Sequence, residues 1–122
     1  MHEHSLVQAL LRQVERLAAQ HGASRVDEVR VRLGPLSNVE PLFVESAFQT
    51  LSPATAAAES RLVIEEVPLT ARCAVCDSEF EIIRFQFRCP ACDSAEIAVT
   101  AGDGFVLESV TLRREEPALD RV

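Results

Sequence analysis

Residues 73–94 read Cys-Ala-Val-Cys-Asp-Ser-Glu-Phe-Glu-Ile-Ile-Arg-Phe-Gln-Phe-Arg-Cys-Pro-Ala-Cys-Asp-Ser, and this stretch decides the fold. It holds all four cysteines of the chain, as Cys73-x-x-Cys76 and Cys89-x-x-Cys92, with twelve residues between the pairs. Two such pairs can bring four thiolates to the corners of one tetrahedron, the arrangement of a closed structural zinc site. Both pairs continue into Asp-Ser, at Asp77-Ser78 and Asp93-Ser94. A metal-binding knuckle turns sharply after its second cysteine, and Asp is among the few residues besides glycine that tolerate the left-handed backbone needed there. Four-thiolate iron and redox-active cysteines are the competing readings. A redox motif needs only one pair and usually sits at a strand-to-helix junction, whereas these flanks read as strands.

Outward from the cysteines, Glu79 to Phe87 alternates loosely and reads as a hairpin carrying the two knuckles. An insert of roughly thirty residues is too small to hold together by apolar burial alone, so zinc would supply its folding energy. Gly102-Asp103-Gly104 breaks the pattern, and Phe105 to Leu112 reads as a strand beyond it. Upstream, Ser5 with Gln8 makes a capping-box start for a helix. Its apolar stripe is Leu6, Leu10, Val14 and Leu17, widened by Val7, Leu11 and Ala18, and Gly22 terminates it. Val29, Val31 and Leu33 alternate with Arg30 and Arg32 in a strand that stops at Gly34-Pro35. Pro41 opens a second helix, expected to bury Phe43, Val44, Ala47, Phe48 and Leu51. Arg61 to Val67 is a further strand, closed by Pro68.

The expected fold class is α+β. Two helices pack on a sheet of about three strands, and a zinc-ribbon-like β domain is inserted before the last strand. The expected boundaries are 1–68 plus 102–114 for the body, 69–101 for the insert and 115–122 for a flexible tail.

The chain has 122 residues, enough for one compact domain or one domain with a small insert. Nineteen acids stand against twelve bases, all of them arginine, for a net charge of -7. Four thiolates around one divalent cation would make it more negative still. That counts against nucleic acid as a partner, because phosphate binding needs a basic surface. It suits a partner presenting basic or metal-borne charge. No stretch approaches the roughly 18 apolar residues of a membrane span. Met1-His2-Glu3-His4 lacks the basic start and apolar run of a secretory signal, so a cytoplasmic location is expected.

His2 places three nitrogens in succession: the Met1 amine, the His2 amide and the imidazole. Amine and amide close a five-membered chelate ring, and amide and Nδ1 a six-membered one. The Glu3 amide or a carboxylate completes a nitrogen-rich set that suits Ni(II) or Cu(II) better than Zn(II). The Glu3 side chain can also orient the imidazole. His4 is read as a residue near the helix start, and His21 as a complement to the dipole at the helix end. No Ser-His-Asp set, phosphate loop or nucleophile elbow is present, so no enzymatic activity is expected.

Met1-His2-Glu3-His4-Ser5-Leu6, Gly34-Pro35-Leu36-Ser37-Asn38-Val39-Glu40 and the cysteine frame together resemble the HypA/HybF hydrogenase maturation proteins, over residues 1 to about 114. The resemblance implies a nickel metallochaperone and not an enzyme. It implies Ni(II) bound through Met1, His2 and Glu3 as exchangeable cargo, and structural Zn(II) on Cys73, Cys76, Cys89 and Cys92. It implies delivery of nickel to the [NiFe]-hydrogenase large-subunit precursor with the nickel-binding GTPase HypB; some relatives also serve urease maturation. The implied fold is a nickel domain with an inserted zinc domain. Glu40 stands where some relatives carry an acid near the nickel site. Asp77 and Asp93 replace the glycines common in the family, and Gly102-Asp103-Gly104-Phe105 departs from its usual entry into the last strand. The rival readings are a zinc-ribbon module for protein or nucleic acid and a four-thiolate iron electron carrier.

Overall fold

A computed structural model describes residues 2–114 and 119–122. The order of elements is α1 (Glu3–Gln20), β1 (Arg25–Leu33), α2 (Pro41–Leu51), β2 (Arg61–Glu66), β3 (Thr70–Cys73), β4 (Glu79–Glu81), β5 (Ile97–Ala101), β6 (Phe105–Arg113) and β7 (Leu119–Arg121). Two helices and two small sheets make the expected α+β class. The chain divides into two compact units. One comprises Met1–Val31, Val39–Glu65 and Val106–Val122; the other comprises Arg32–Asn38 and Glu66–Phe105. Compared with the expected insert at 69–101, the cysteine-bearing unit also takes Arg32–Asn38 and, on either side of the insert, residues 66–68 and 102–105.

The first unit is built on α1. Its buried stripe is Glu3, Val7, Leu10, Leu11, Val14 and Ala18, spaced by three and four residues as one helical face requires. The helix begins two residues before the expected capping box, with His2 at its N-cap. Ser5 instead turns its hydroxyl back to the His2 carbonyl at 2.9 Å. The buried face centres on Val7, Leu10, Val14 and Ala18, and Leu6 and Leu17 at its edge are only half-buried. At the other end Gly22 sits at φ +66°, its N–H donating to Ala19, while the Ala23 N–H reaches the Ala18 carbonyl at 2.8 Å. This is a Schellman termination, as Gly22 led one to expect.

Pro41 occupies the first turn of α2, whose buried positions are Val44 and Phe48. Phe43, expected in the core, is 47% exposed. The sheet of this unit has the strand order β2-β1-β6-β7. Val26, Val29 and Val31 of β1 and Val110 and Leu112 of β6 are fully buried. The fourth strand comes from the segment expected to be a tail: Thr111, Leu112 and Arg113 pair antiparallel with Arg121, Asp120 and Leu119. Residues 115–118 of that expected tail lie outside the described residues.

The second unit has a three-stranded antiparallel sheet in the order β4-β3-β5. Its apolar core is small: Leu69, Ala71 and Ile82 are buried, with Phe80, Ile97 and Val99 packed against them. Two glycines bring three segments together. A Cβ on Gly34 would stand 2.0 Å from the Gly102 carbonyl oxygen, and one on Gly102 would stand 2.3 Å from that of Pro68. The Gly34 N–H donates to Gly104 and the Val67 N–H to Leu33, at 3.0 and 2.9 Å. Glycine is required here because backbone lies against backbone.

Candidate metal centres

The two cysteine pairs occupy equivalent knuckles. Cys73 ends β3, and its N–H donates to the Ser78 carbonyl at 2.9 Å, while the Asp77 N–H donates back to Cys73 at 3.0 Å. Cys89, Ser94 and Asp93 repeat both bonds at 2.9 and 2.8 Å. Asp77 and Asp93 have φ of 62° and 61°, the left-handed turn expected of these two residues. The Val75 N–H points at Cys73 Sγ, 3.4 Å away. The repeat extends one residue further upstream than the sequence reading took it. Arg72 precedes Cys73 and binds Asp77 and Glu79; Arg88 precedes Cys89 and donates to the Asp93 carbonyl at 3.1 Å. Arg-Cys-x-x-Cys-Asp-Ser occurs twice, and each arginine fastens its own knuckle.

All four Sγ atoms lie within 4.8 Å of one another. Cys73 and Cys92 approach to 3.6 Å and Cys76 and Cys89 to 3.5 Å, each pair bridging the two knuckles. A tetrahedron of zinc–sulfur bonds of about 2.3 Å has edges of about 3.8 Å, so these separations fit a shared cation. They are far too long for disulfides, and the cysteines are free. Cys73 and Cys89 are buried, Cys76 and Cys92 exposed.

Crowding spreads the thiol titrations apart. Cys76 is pulled down to about 6, first by the Ser78 hydroxyl and backbone N–H and then by Cys89. The Ser94 backbone N–H pulls Cys92 down, but contact with Cys73, burial, and the neighbouring Cys89 and Cys76 outweigh it and push this thiol up to about 12. Without a cation the cluster does not hold four negative charges together. A divalent metal is what allows all four sulfurs to ionise.

The amino-terminal residues fall in the other unit. Met1 lies outside the described residues. His2 is exposed at the N-cap of α1, and His4 is exposed as well. The first helical bond runs from the Leu6 N–H to the His2 carbonyl at 3.1 Å, so the amides of His2 and Glu3 precede the helical ladder. Glu3 is only 6% exposed because it falls four residues before Val7 on the buried stripe. Its Oε2 accepts the Glu40 N–H at 3.2 Å, tying the start of α1 to the start of α2. Its Oε1 is buried without a hydrogen-bond partner among the described residues. The Glu40 N–H holds the Glu3 carboxyl below the usual carboxylate range, helped by the Glu3 N–H and opposed by burial. Glu40 uses its own carboxylate to cap α2, 3.4 Å from the Leu42 N–H. His21 is the C-cap of α1, and its carbonyl accepts from Arg114.

Sequence reasoning missed the Glu3–Glu40 tie because it started the helix at Ser5. The helical period extended back from Val7 would have placed Glu3 on the buried face.

Residues 1–112 match the family profile described as hydrogenase/urease nickel incorporation, metallochaperone, HypA. Among its relatives is the hydrogenase maturation factor HypA of Nitrosospira multiformis, 41% identical over 112 residues that cover 92% of this chain and 97% of that one. That of Shewanella oneidensis is 34% identical over 118 residues, covering 97% and 100%. The solution structure of the nickel metallochaperone HypA from Helicobacter pylori superposes with a TM-score of 0.74 at 26% identity, covering 94% of this chain and all of that one. That family binds nickel, and the cysteine quartet supplies the donor set of a structural zinc site. The chain belongs to the HypA family of nickel-incorporating metallochaperones.

Proposed function

We propose that this chain carries Ni(II) at its amino terminus and delivers it in the cytoplasm to the [NiFe]-hydrogenase large-subunit precursor, acting with the GTPase HypB. The observation that carries this reading is the exposed His2 at the mouth of α1, beside amides that the helix does not use. Its imidazole, the Met1 amine and the adjoining amides are the proposed nickel donors. Deprotonated amides are anionic, and the N-terminal end of a helix dipole favours negative charge. Buried against the Glu40 N–H, the Glu3 carboxylate is proposed to anchor the end of the chain and orient His2.

Cys73, Cys76, Cys89 and Cys92 are proposed to hold Zn(II), which supplies folding energy to the second unit. The two ions then have separate duties. Nickel sits on surface donors that exchange, whereas zinc is enclosed by sulfur on knuckles fixed by repeated backbone bonds.

Transfer from nickel-loaded protein to the purified precursor, followed by metal analysis of the precursor, tests the delivery step. The reading expects nickel to move from the intact protein and not from a His2→Ala variant. Equal transfer from both would contradict it. An amino-terminal extension, which removes the free amine, should weaken or reshape the nickel complex and its absorption spectrum.

A further inference from the structure

The two knuckles repeat a sequence and a set of backbone bonds, yet their sulfurs are not equally supported. In the first, the Val75 N–H points at Cys73 Sγ, and Ser78 Oγ lies 3.2 Å from Cys76 Sγ. A metal-bound thiolate has no proton, so at Cys76 the Ser78 hydroxyl is the donor. In the second, Ser94 Oγ accepts the Glu96 N–H at 3.0 Å. Among the described residues no hydroxyl reaches Cys92 Sγ, and Cys89 Sγ has no counterpart of the Val75 bond. The Ser78 and Ser94 amides serve Cys76 and Cys92 alike, so a hydroxyl is what separates these two sulfurs.

Access divides the quartet differently. Cys73 and Cys89 are buried, whereas Cys76 and Cys92 are exposed. A reagent from solution therefore meets two sulfurs, one from each knuckle. Hydrogen bonds to a thiolate stabilise its charge and lower its nucleophilicity. Of the two exposed sulfurs, Cys92 has the fewer donors and keeps more of its electron density. Only at Cys92 do exposure and a weakly solvated thiolate coincide.

We propose that Cys92 is the modification site of this chain, the sulfur that soft electrophiles of the Michael-acceptor class take first. Its sulfur adds to the β-carbon of the activated alkene, and a C–S bond forms as the C=C π bond breaks. The displaced electron pair goes to the α-carbon, which takes a proton from water. Nothing is oxidised or reduced, and no group leaves. The product is a neutral thioether, so modification opens one corner of the sulfur cage from outside. The proposal rests on the zinc reading of the cysteines and is independent of the nickel reading.

N-ethylmaleimide in limiting amount is the probe, added to the zinc-loaded full chain in the presence of free Zn(II). Zinc is counted first. Three protein ligands and a water are an established zinc set, so singly modified chains should keep the ion. The adduct in those chains is located by peptide fragmentation, after the remaining cysteines are capped with deuterated reagent. Cys92 should carry at least about threefold more adduct than Cys76, with Cys73 and Cys89 near background. Ser78→Ala, which withdraws the hydroxyl, should raise labelling of Cys76 to within about twofold of Cys92. Ser78→Thr, which keeps it, should show the parent's preference. Where Ser78→Ala fails to hold zinc, the parent's ratio decides. Equal labelling of Cys76 and Cys92, preference for Cys76, a ratio unmoved by Ser78→Ala, or no singly modified chain overturns the proposal. A parent isolated without zinc overturns the zinc reading along with it; zinc at one per chain with any of those results overturns this proposal alone.

Discussion

Withdrawing the metal from the four cysteines with a strong chelator should unfold the second unit while the two helices of the first remain. The apolar core of that unit contains only Leu69, Ala71 and Ile82 as buried members. Full burial of a leucine or isoleucine side chain contributes about 1.5–3 kcal/mol, so the two large members supply about 3–6 kcal/mol. A structural four-ligand zinc site supplies about 10–16 kcal/mol of apparent binding energy at neutral pH. Ordering a backbone costs about 1–2 kcal/mol per residue, or about 12–24 kcal/mol for the twelve residues of β3, β4 and β5 alone. That burial does not offset the ordering of even these twelve residues, and removing zinc withdraws a further contribution of about 10–16 kcal/mol. Hydrogen exchange reads this residue by residue. The Cys73 and Cys89 amides, bonded to Ser78 and Ser94, should be protected with metal and exchange freely without it. Helical ellipticity should persist. Unchanged protection of those two amides in protein verified to contain no metal would refute the reasoning.

Other substitutions probe the remaining contacts. Gly34→Ala sets a methyl group against the Gly102 carbonyl, and thermal melting should show a loss of at least about 1–3 kcal/mol. Arg84→Asn with Phe85→Gly should raise stability by about 1–2 kcal/mol by relieving left-handed strain, as read by denaturant unfolding. Asp27 is held below the usual carboxylate range chiefly by its hydrogen bonds from Arg113. Its contribution is therefore present above the unfolded pKa, about 4, and is lost as pH falls through the lower folded value. Asp27→Asn should be less stable than the parent near neutrality, and the two melting curves should converge in acid.

The cysteine frame was legible because metal ligation needs fixed residue types at fixed spacing, and the left-handed Asp77 and Asp93 followed from the turn that spacing forces. Both long strands and both helices were legible from apolar pattern together with the glycines and prolines that bound them. Three features were not. The α1 start was misplaced because Ser5 imitates a cap while its hydroxyl serves the His2 carbonyl, and with that error the burial of Glu3 was hidden. Strand β7 is three residues long, and its short segment shows no period against which to recognise a partner of β6. Phe43 and Phe85 were assigned to buried or alternating positions by hydrophobicity, a rule that fails wherever an apolar side chain is left on the surface.

The central claim is that one chain keeps two metals on two unrelated donor sets. Equilibrium dialysis of untagged protein and of His2→Ala against Ni(II), with both metals counted by mass spectrometry, tests it most directly. The account expects one zinc and one nickel per parent chain, and one zinc with no nickel in the variant. Nickel retained by His2→Ala, or zinc lost along with it, would contradict the account.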